Sequence, residues 1–204
     1  MNFFPKPNPK PNSNQDETTE PSAAAHAYFL KEQSFLQART PKALMVGGYQ
    51  LWAGGVMFFD EDDLDGYDLL VPLTQRMVFG SGRRYQILAM PLRDFGGVDT
   101  EFERNLKLIV EELKKGTRIL IFCDGGLGRT GTVLAGLIAI LESKEQTPDP
   151  IQAVRERYRE IAVETYAQAQ AVFKLRRENT PEHYRILQEV DTLRYTAWQK
   201  QAPV

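Results

Sequence analysis

Phe122-Cys123-Asp124-Gly125-Gly126-Leu127-Gly128-Arg129-Thr130-Gly131 joins two segments of opposite character. Before it, Arg118 to Phe122 is a short apolar run with the composition of a buried strand. After it, Thr132 to Leu141 is apolar almost throughout, as a buried helix would be. A strand therefore delivers Cys123 to a loop, and the loop runs straight into a helix. Gly125, Gly126 and Gly128 let backbone N–H groups turn inward without a Cβ clash. Those amides, with the helix N-terminus, form a cradle for a tetrahedral oxyanion. Arg129 lies six residues after Cys123. On a loop wrapped around one anion, that spacing brings its guanidinium back to bind two oxygens bidentately.

The same cradle acts on sulfur, because helix N-termini and nearby cations favour thiolate over thiol. An anion site with a nucleophile at its floor points to phosphoryl transfer through a phosphocysteine. A lone cysteine is more often a small buried hydrophobe. Here Cys, five intervening residues, Arg, Thr and a strand-to-helix setting coincide, as the chemistry requires. A nucleotide P-loop is excluded, since the Gly-Lys-Ser/Thr ending is absent.

Working outward, Ala25 to Leu36 reads as a short helix. Ala43 to Gln50 and Gly55 to Asp60 are apolar runs split by glycines, which suggests a hairpin, followed by an acidic turn at Glu61, Asp62, Asp63 and Asp65. Leu69 to Leu73 and Tyr85 to Met90 have strand propensity. Phe102, Leu106, Ile109 and Leu113 mark one face of a helix that Gly116 ends. Beyond a Pro-rich turn at Thr147 to Pro150, helical periodicity covers Ile151 to Ile161, Tyr166 to Leu175, and Pro181 to Trp198. The last carries Tyr184, Leu187, Val190 and Leu193, a stripe expected to pack on the body. Strands with a helix threaded between them, then a run of helices, predict an α/β fold: a mixed sheet flanked by helices.

The 204 residues suffice for one domain and hardly for two. Residues 1–22 form a Pro/Asn-rich leader, with Pro5, Pro7, Pro9 and Pro11, too polar to offset the entropy of ordering; it is expected to be disordered. Residues 23–204 make up the domain. With 25 basic against 27 acidic residues, bulk charge speaks against a nucleic-acid binder. One cysteine and two histidines, His26 and His183, leave little for a metal site or a disulfide. No apolar run approaches the roughly 20 residues that span a bilayer, and no signal pattern opens the chain, so a cytoplasmic protein is expected.

The stretch from Cys123 to Thr130 resembles the Cys-x5-Arg-Ser/Thr signature of the cysteine-dependent protein tyrosine phosphatase superfamily. Gly125 to Gly131 looks most like its dual-specificity branch, in particular the kinase-associated (cyclin-dependent kinase inhibitor 3-like) phosphatases. The resemblance spans roughly Ala43 to Leu175 and implies a central mixed sheet of about five strands with the signature loop between strand and helix. It implies Cys123 as nucleophile and Arg129 with the loop residues Asp124, Gly125, Gly126, Leu127 and Gly128 as the phosphate site. Met90-Pro91-Leu92-Arg93-Asp94-Phe95-Gly96-Gly97 looks like the family's mobile acid loop. By that likeness Asp94 protonates the leaving oxygen, and Asp99 is the competing candidate. Ala162 to Gln168 is similar to the stretch whose glutamine contacts the site, so Gln168 is a candidate to position the hydrolytic water, with Gln170 nearby. Thr130 can stabilise the departing thiolate or cap the helix. The mechanism calls for no metal and no cofactor.

Two departures stand out. Phe122 occupies the place where the family usually has histidine, which predicts weaker thiolate activation. Asp124 puts a carboxylate at the mouth, where it repels additional phosphates and favours phosphopeptides with neutral or basic flanks. The sequence thus predicts a phosphatase of phosphotyrosine, with phosphoserine and phosphothreonine open if the cleft is shallow. Its rivals are a phospho-binding pseudophosphatase and a phosphatase of phosphoinositides or RNA 5′ ends.

Overall fold

In the computed structural model, residues 21–34, 41–56, 64–75 and 85–201 are described. The predicted leader, apart from Pro21 and Ser22, and most of the acidic turn lie outside them. Among the described residues the strands are β1 (Lys42–Val46), β2 (Tyr49–Gly55), β3 (Leu69–Pro72), β4 (Gln86–Ile87) and β5 (Ile119–Cys123), in the spatial order β1-β2-β5-β3-β4. β5 is buried along its whole length, as a central parallel strand covered on both faces must be. It runs parallel to β2, with Gly55 opposite Cys123, and parallel to β3, with Pro72 opposite Phe122. Only β1 is antiparallel, so the sheet is mixed as the sequence predicts.

The hairpin differs in detail. Its turn falls at Gly47-Gly48, inside the run read as one strand, and Val46 pairs with Tyr49. Both glycines have positive φ (+56° and +86°), which a two-residue hairpin turn of this hand demands. Gly54, expected between the two runs, and Gly55, expected to open the second, both lie in β2, where they back the signature loop. β4 is likewise shorter than the run Tyr85 to Met90. The chain still follows β3 beyond it: Leu88 N–H donates to Leu70 O (2.9 Å), Met90 to Pro72 O (3.1 Å) and Leu92 to Leu73 O (3.2 Å). That alignment carries Asp94 to the end of the sheet where β5 delivers Cys123.

The helices are α1 (Ala23–Ser34), α2 (Phe102–Lys114), α3 (Gly128–Leu141), α4 (Pro150–Arg157), α5 (Tyr166–Leu175) and α6 (Ile186–Gln201). α2 buries Phe102, Leu106, Ile109, Val110 and Leu113. α3 is buried from Gly128 through Ala139, enclosed by the sheet and by its helical neighbours. Burial at about 25 cal/mol per Å² of apolar surface makes this helix the centre of the core. α4 begins with Pro150 behind the Asp149 cap, whose Oδ1 accepts the N–H groups of Ile151 and Gln152, both at 2.9 Å. The segment read as one tail helix is a short 3-10 turn, Glu182–Arg185, followed by α6. Its stripe does pack on the body: Tyr184, Leu187 and Val190 are buried. α1 packs on α6, where Ser22 N–H donates to Glu189 Oε2 at 2.7 Å.

At the far end of α3, Glu142 ties three elements together. Its carboxylate accepts from Gly47 N–H (2.9 Å), from Arg157 Nη2 (2.9 Å) and from the Thr147 hydroxyl. Burial alone pushes this carboxyl up. Arg157, Thr147 and Gly47 outweigh it and hold the pKa at about 2, against an ordinary 4.5.

Candidate active site

Strand β5 ends at Cys123, whose sulfur is enclosed by the loop that follows and is 2% exposed as a residue. Sγ accepts the Gly126 N–H at 3.2 Å and the Thr130 hydroxyl at 3.1 Å. Two donors from the loop and α3 thus converge on one sulfur. Gly126 has φ +72°, and a Cβ there would lie 2.5 Å from Gly54 C and Gly55 N. At Gly55 a Cβ would meet Gly125 C at 2.6 Å. The loop therefore lies directly on the β2 backbone, an approach only glycine on both sides permits.

The loop is fastened from behind. Tyr158 Oη donates to Gly126 O at 2.7 Å, and Arg159 Nη1 donates to Gly125 O at 3.4 Å. A trans peptide points its C=O and the next N–H in opposite directions. Holding the Gly125 and Gly126 carbonyls outward therefore turns the Gly126 and Leu127 N–H groups inward, and Gly126 N–H does face Sγ. Burial raises the Tyr158 pKa, so its hydroxyl remains a donor. Neither residue stands out in the sequence, since a Tyr-Arg pair at a helix end has no pattern of its own.

Phe122 is fully buried and packs with Leu64, Leu70 and Leu120 in a separate apolar cluster. Cys123 belongs to the main core. Successive strand residues face opposite ways, so Phe122 fills the sheet's other face and Tyr158 with Arg159 fasten the loop.

Arg129 is 6% exposed. Its Nη2 lies 2.7 Å from Asp124 Oδ2 and 3.0 Å from Asp94 Oδ1. Its Nε is buried and has no hydrogen-bond partner among the described residues. Burial by itself lowers the Arg129 pKa, but Cys123, Asp94 and Asp124 outweigh it, so the net shift is upward and the cation is retained. A buried N–H on a charged guanidinium costs free energy until an acceptor reaches it.

Asp94, predicted from its loop, thus reaches the signature loop. Asp99 lines the same cleft, but its Oδ1 accepts Glu101 N–H at 3.0 Å at the start of α2. Thr130 lies inside α3, whose N-cap is Leu127, so its hydroxyl serves sulfur and Gly54 O (3.4 Å) rather than a cap. Gln168 is buried, and its Oε1 accepts Glu164 N–H (2.8 Å) and Thr165 N–H (3.2 Å) in a capping box. Its Nε2 faces the loop, 3.2 Å from where a Gly128 Cβ would sit. Gln170 is exposed. Glu164, which carries no sequence signal, also lies against Gly128, where any Cβ would fall 2.0 Å from its Oε2.

Above Arg129 opens a cleft of about 630 Å³, walled by Thr74 and Gln75 on one side and the loop from Pro91 to Asp99 on the other. Among the described residues, no group of three or more His, Cys, Asp or Glu side chains could hold a metal ion. Chemically, the arrangement offers a nucleophile, a buried cation with an open N–H, and a carboxyl group at one end of the sheet.

The family described as PTP-SAK, Swiss Army Knife protein, DSP-PTPase phosphatase domain, matches residues 71–186, more than half of the chain. The uncharacterized protein MJ0215 of Methanocaldococcus jannaschii is 39% identical over 120 residues, covering 55% of this chain and 71% of that one. The crystal structure of Tk-PTP in its active form is similar at 26% identity and a TM-score of 0.56, over 67% of this chain and 97% of the other. Kinase associated phosphatase shares the fold at 18% identity and a TM-score of 0.56, over 70% and 100% of the two chains. The chain belongs to the DSP-PTPase family of phosphatase domains, within the protein tyrosine phosphatase superfamily.

Proposed function

We propose that this protein is a cysteine-dependent phosphoric monoester hydrolase acting on phosphotyrosine in phosphoproteins, with phosphoserine and phosphothreonine as further substrates. The observation that carries this reading is the buried Arg129 Nε without an acceptor, beside a cysteine sulfur that already accepts two hydrogen bonds. A phosphate dianion supplies acceptors in the fork geometry that a guanidinium matches. N–H groups of the loop from Asp124 to Arg129 bind its remaining oxygens.

Cys123 Sγ attacks phosphorus as the bond to the ester oxygen breaks. Asp94 gives its proton to that oxygen, so the alcohol leaves neutral. The phosphocysteine is then attacked by water, which gives a proton to the Asp94 carboxylate. The P–S bond breaks, Thr130 donates to the departing thiolate, and inorganic phosphate is released. The Gln168 amide is suited to hold the attacking water through Nε2, because Oε1 is committed to the backbone. Asp124 disfavours substrates with clustered phosphates at the mouth. A free thiol as nucleophile suits a reducing cytoplasm. No described helix is long and apolar enough to cross a membrane.

The test is turnover of p-nitrophenyl phosphate and a phosphotyrosyl peptide by the wild type and Cys123→Ser. Turnover by the wild type alone supports the proposal. Two inert proteins that still bind the phosphopeptide identify a binding module. Faster phosphate release from inositides or RNA 5′ ends than from peptides moves the substrate class.

A further inference from the structure

The Asp94–Arg129 ion pair holds the acid loop over the signature loop in the resting protein. It cannot do so during the reaction proposed above. Asp94 must be protonated to act as an acid, and Arg129 must turn its N–H groups to phosphate. A contact that survives both changes is needed to keep Asp94 over the bound ester.

Phe95, next to Asp94, supplies one half of such a contact. Its φ is +50°, a conformation that a residue with a side chain rarely adopts. The turn is closed by Gly96 N–H donating to Arg93 O at 3.0 Å. Arg194 of α6 supplies the other half: its guanidinium carbon stands 4.8 Å from the Phe95 ring centroid, within the range of a cation–π contact. Nη1 and Nη2 of the same guanidinium both donate to Glu164 O at 3.0 Å. Nη1 also pairs with Asp191 one turn earlier on α6. The Arg194 side chain is only 12% exposed, so water competes little for it.

One side chain thus links three parts of the molecule. Phe95 belongs to the acid loop. Glu164 lies between Val163, whose φ is +66°, and the capping box that orients Gln168. α6 is itself anchored by buried Tyr184, Leu187 and Val190 and by α1 through Ser22 and Glu189.

We propose that Arg194 is a positioning residue for catalysis, which keeps the acid loop closed by holding the Phe95 ring and, through Glu164 O, fixes the loop to the segment that orients Gln168. The proposal rests on the reading of Asp94 as the proton donor. Arg194 does not line the cleft above Arg129.

Two readouts on the full chain test it, with Arg194→Ala, Arg194→Lys and Phe95→Leu against the wild type. The first, hydrogen exchange of residues 91–98, does not depend on activity. Arg194→Ala and Phe95→Leu accelerate exchange there and leave residues 123–130 unchanged. The second is the leaving-group dependence of kcat. Phenyl phosphate needs protonation of its leaving oxygen, whereas 2,4-dinitrophenyl phosphate does not. Arg194→Ala lowers kcat for phenyl phosphate by about three- to thirtyfold, with little change for the dinitrophenyl ester or in inhibition by inorganic phosphate. Arg194→Lys recovers part of the loss, since it keeps a cation but not the paired donors. Equal loss on both esters, or unchanged exchange at 91–98, overturns the proposal. If the wild type hydrolyses neither ester, the enzymatic reading fails, and exchange alone decides whether Arg194 braces the loop.

Discussion

Arg129 is bonded to Asp124, five residues earlier on the same loop, with 2.7 Å between Nη2 and Oδ2. The proposed phosphate site therefore already holds a carboxylate in its resting state. An incoming dianion must take the guanidinium away from Asp124, so part of its binding energy goes into breaking an internal ion pair.

Removing that competitor should tighten the site. Asp124→Asn is expected to lower the inhibition constant for inorganic phosphate or vanadate about three- to tenfold, the scale of one charge-assisted hydrogen bond partly offset by solvent. Inhibition titrations of the two proteins measure it. Equal constants would mean that Asp124 does not compete for Arg129.

Thr130 donates to Cys123 Sγ at 3.1 Å. Sulfur is most anionic as it leaves phosphorus, so the hydroxyl matters most in the second chemical step. Thr130→Val keeps the shape and removes the donor. A hydrogen bond to a charged group contributes about 1.5–3 kcal/mol, which corresponds to roughly 10- to 150-fold in that step. The expected signature is a burst of released alcohol followed by a slow steady rate in rapid-quench kinetics. A proportional fall in both phases would place the role of Thr130 elsewhere.

Gly126 combines a positive φ with contact on the β2 backbone. Gly126→Ala adds a left-handed penalty of about 1–2 kcal/mol and a clash that only backbone movement relieves. Urea unfolding should show a loss of at least about 2 kcal/mol, with Sγ losing its N–H donor as the loop shifts. A protein of unchanged stability and unchanged turnover would contradict the close packing of loop on strand.

Glu142 gives the fold an acid-sensitive joint. Its pKa is lower in the folded chain, about 2 against an ordinary 4.5, so its stabilisation is complete above about pH 4.5 and is lost as pH falls toward 2. Allowing for solvent screening, the effect is roughly 1–3 kcal/mol. Glu142→Gln should be less stable than the wild type at pH 7 and nearly equal to it near pH 2, as judged by urea midpoints. A difference independent of pH would assign the role of Glu142 to packing alone.

Cys123, Arg129 and Thr130 were legible in the sequence because one short loop between a strand and a helix holds them all. Local spacing determines their relation almost regardless of the remaining fold. The helices α2 and α5 were legible for a similar reason, since each writes its buried face into consecutive turns. The hairpin turn was not: glycines at 47–48 and 54–55 look alike in a string, yet the first pair makes the bend and the second gives room to the loop lying on it. Nor could any pattern place Tyr158 and Arg159 behind the loop, or Arg194 over Phe95. These are single side-chain contacts between distant segments, and their geometry exists only once α3 is enclosed and the helices around it are set. The sequence by itself determined the spacing of Cys123, Arg129 and Thr130 on one loop and the class of fold. Only the tertiary structure decided which side chains stand behind that loop and beside the Asp94 loop, because the positions of Tyr158, Arg159 and Arg194 follow from packing across the whole chain.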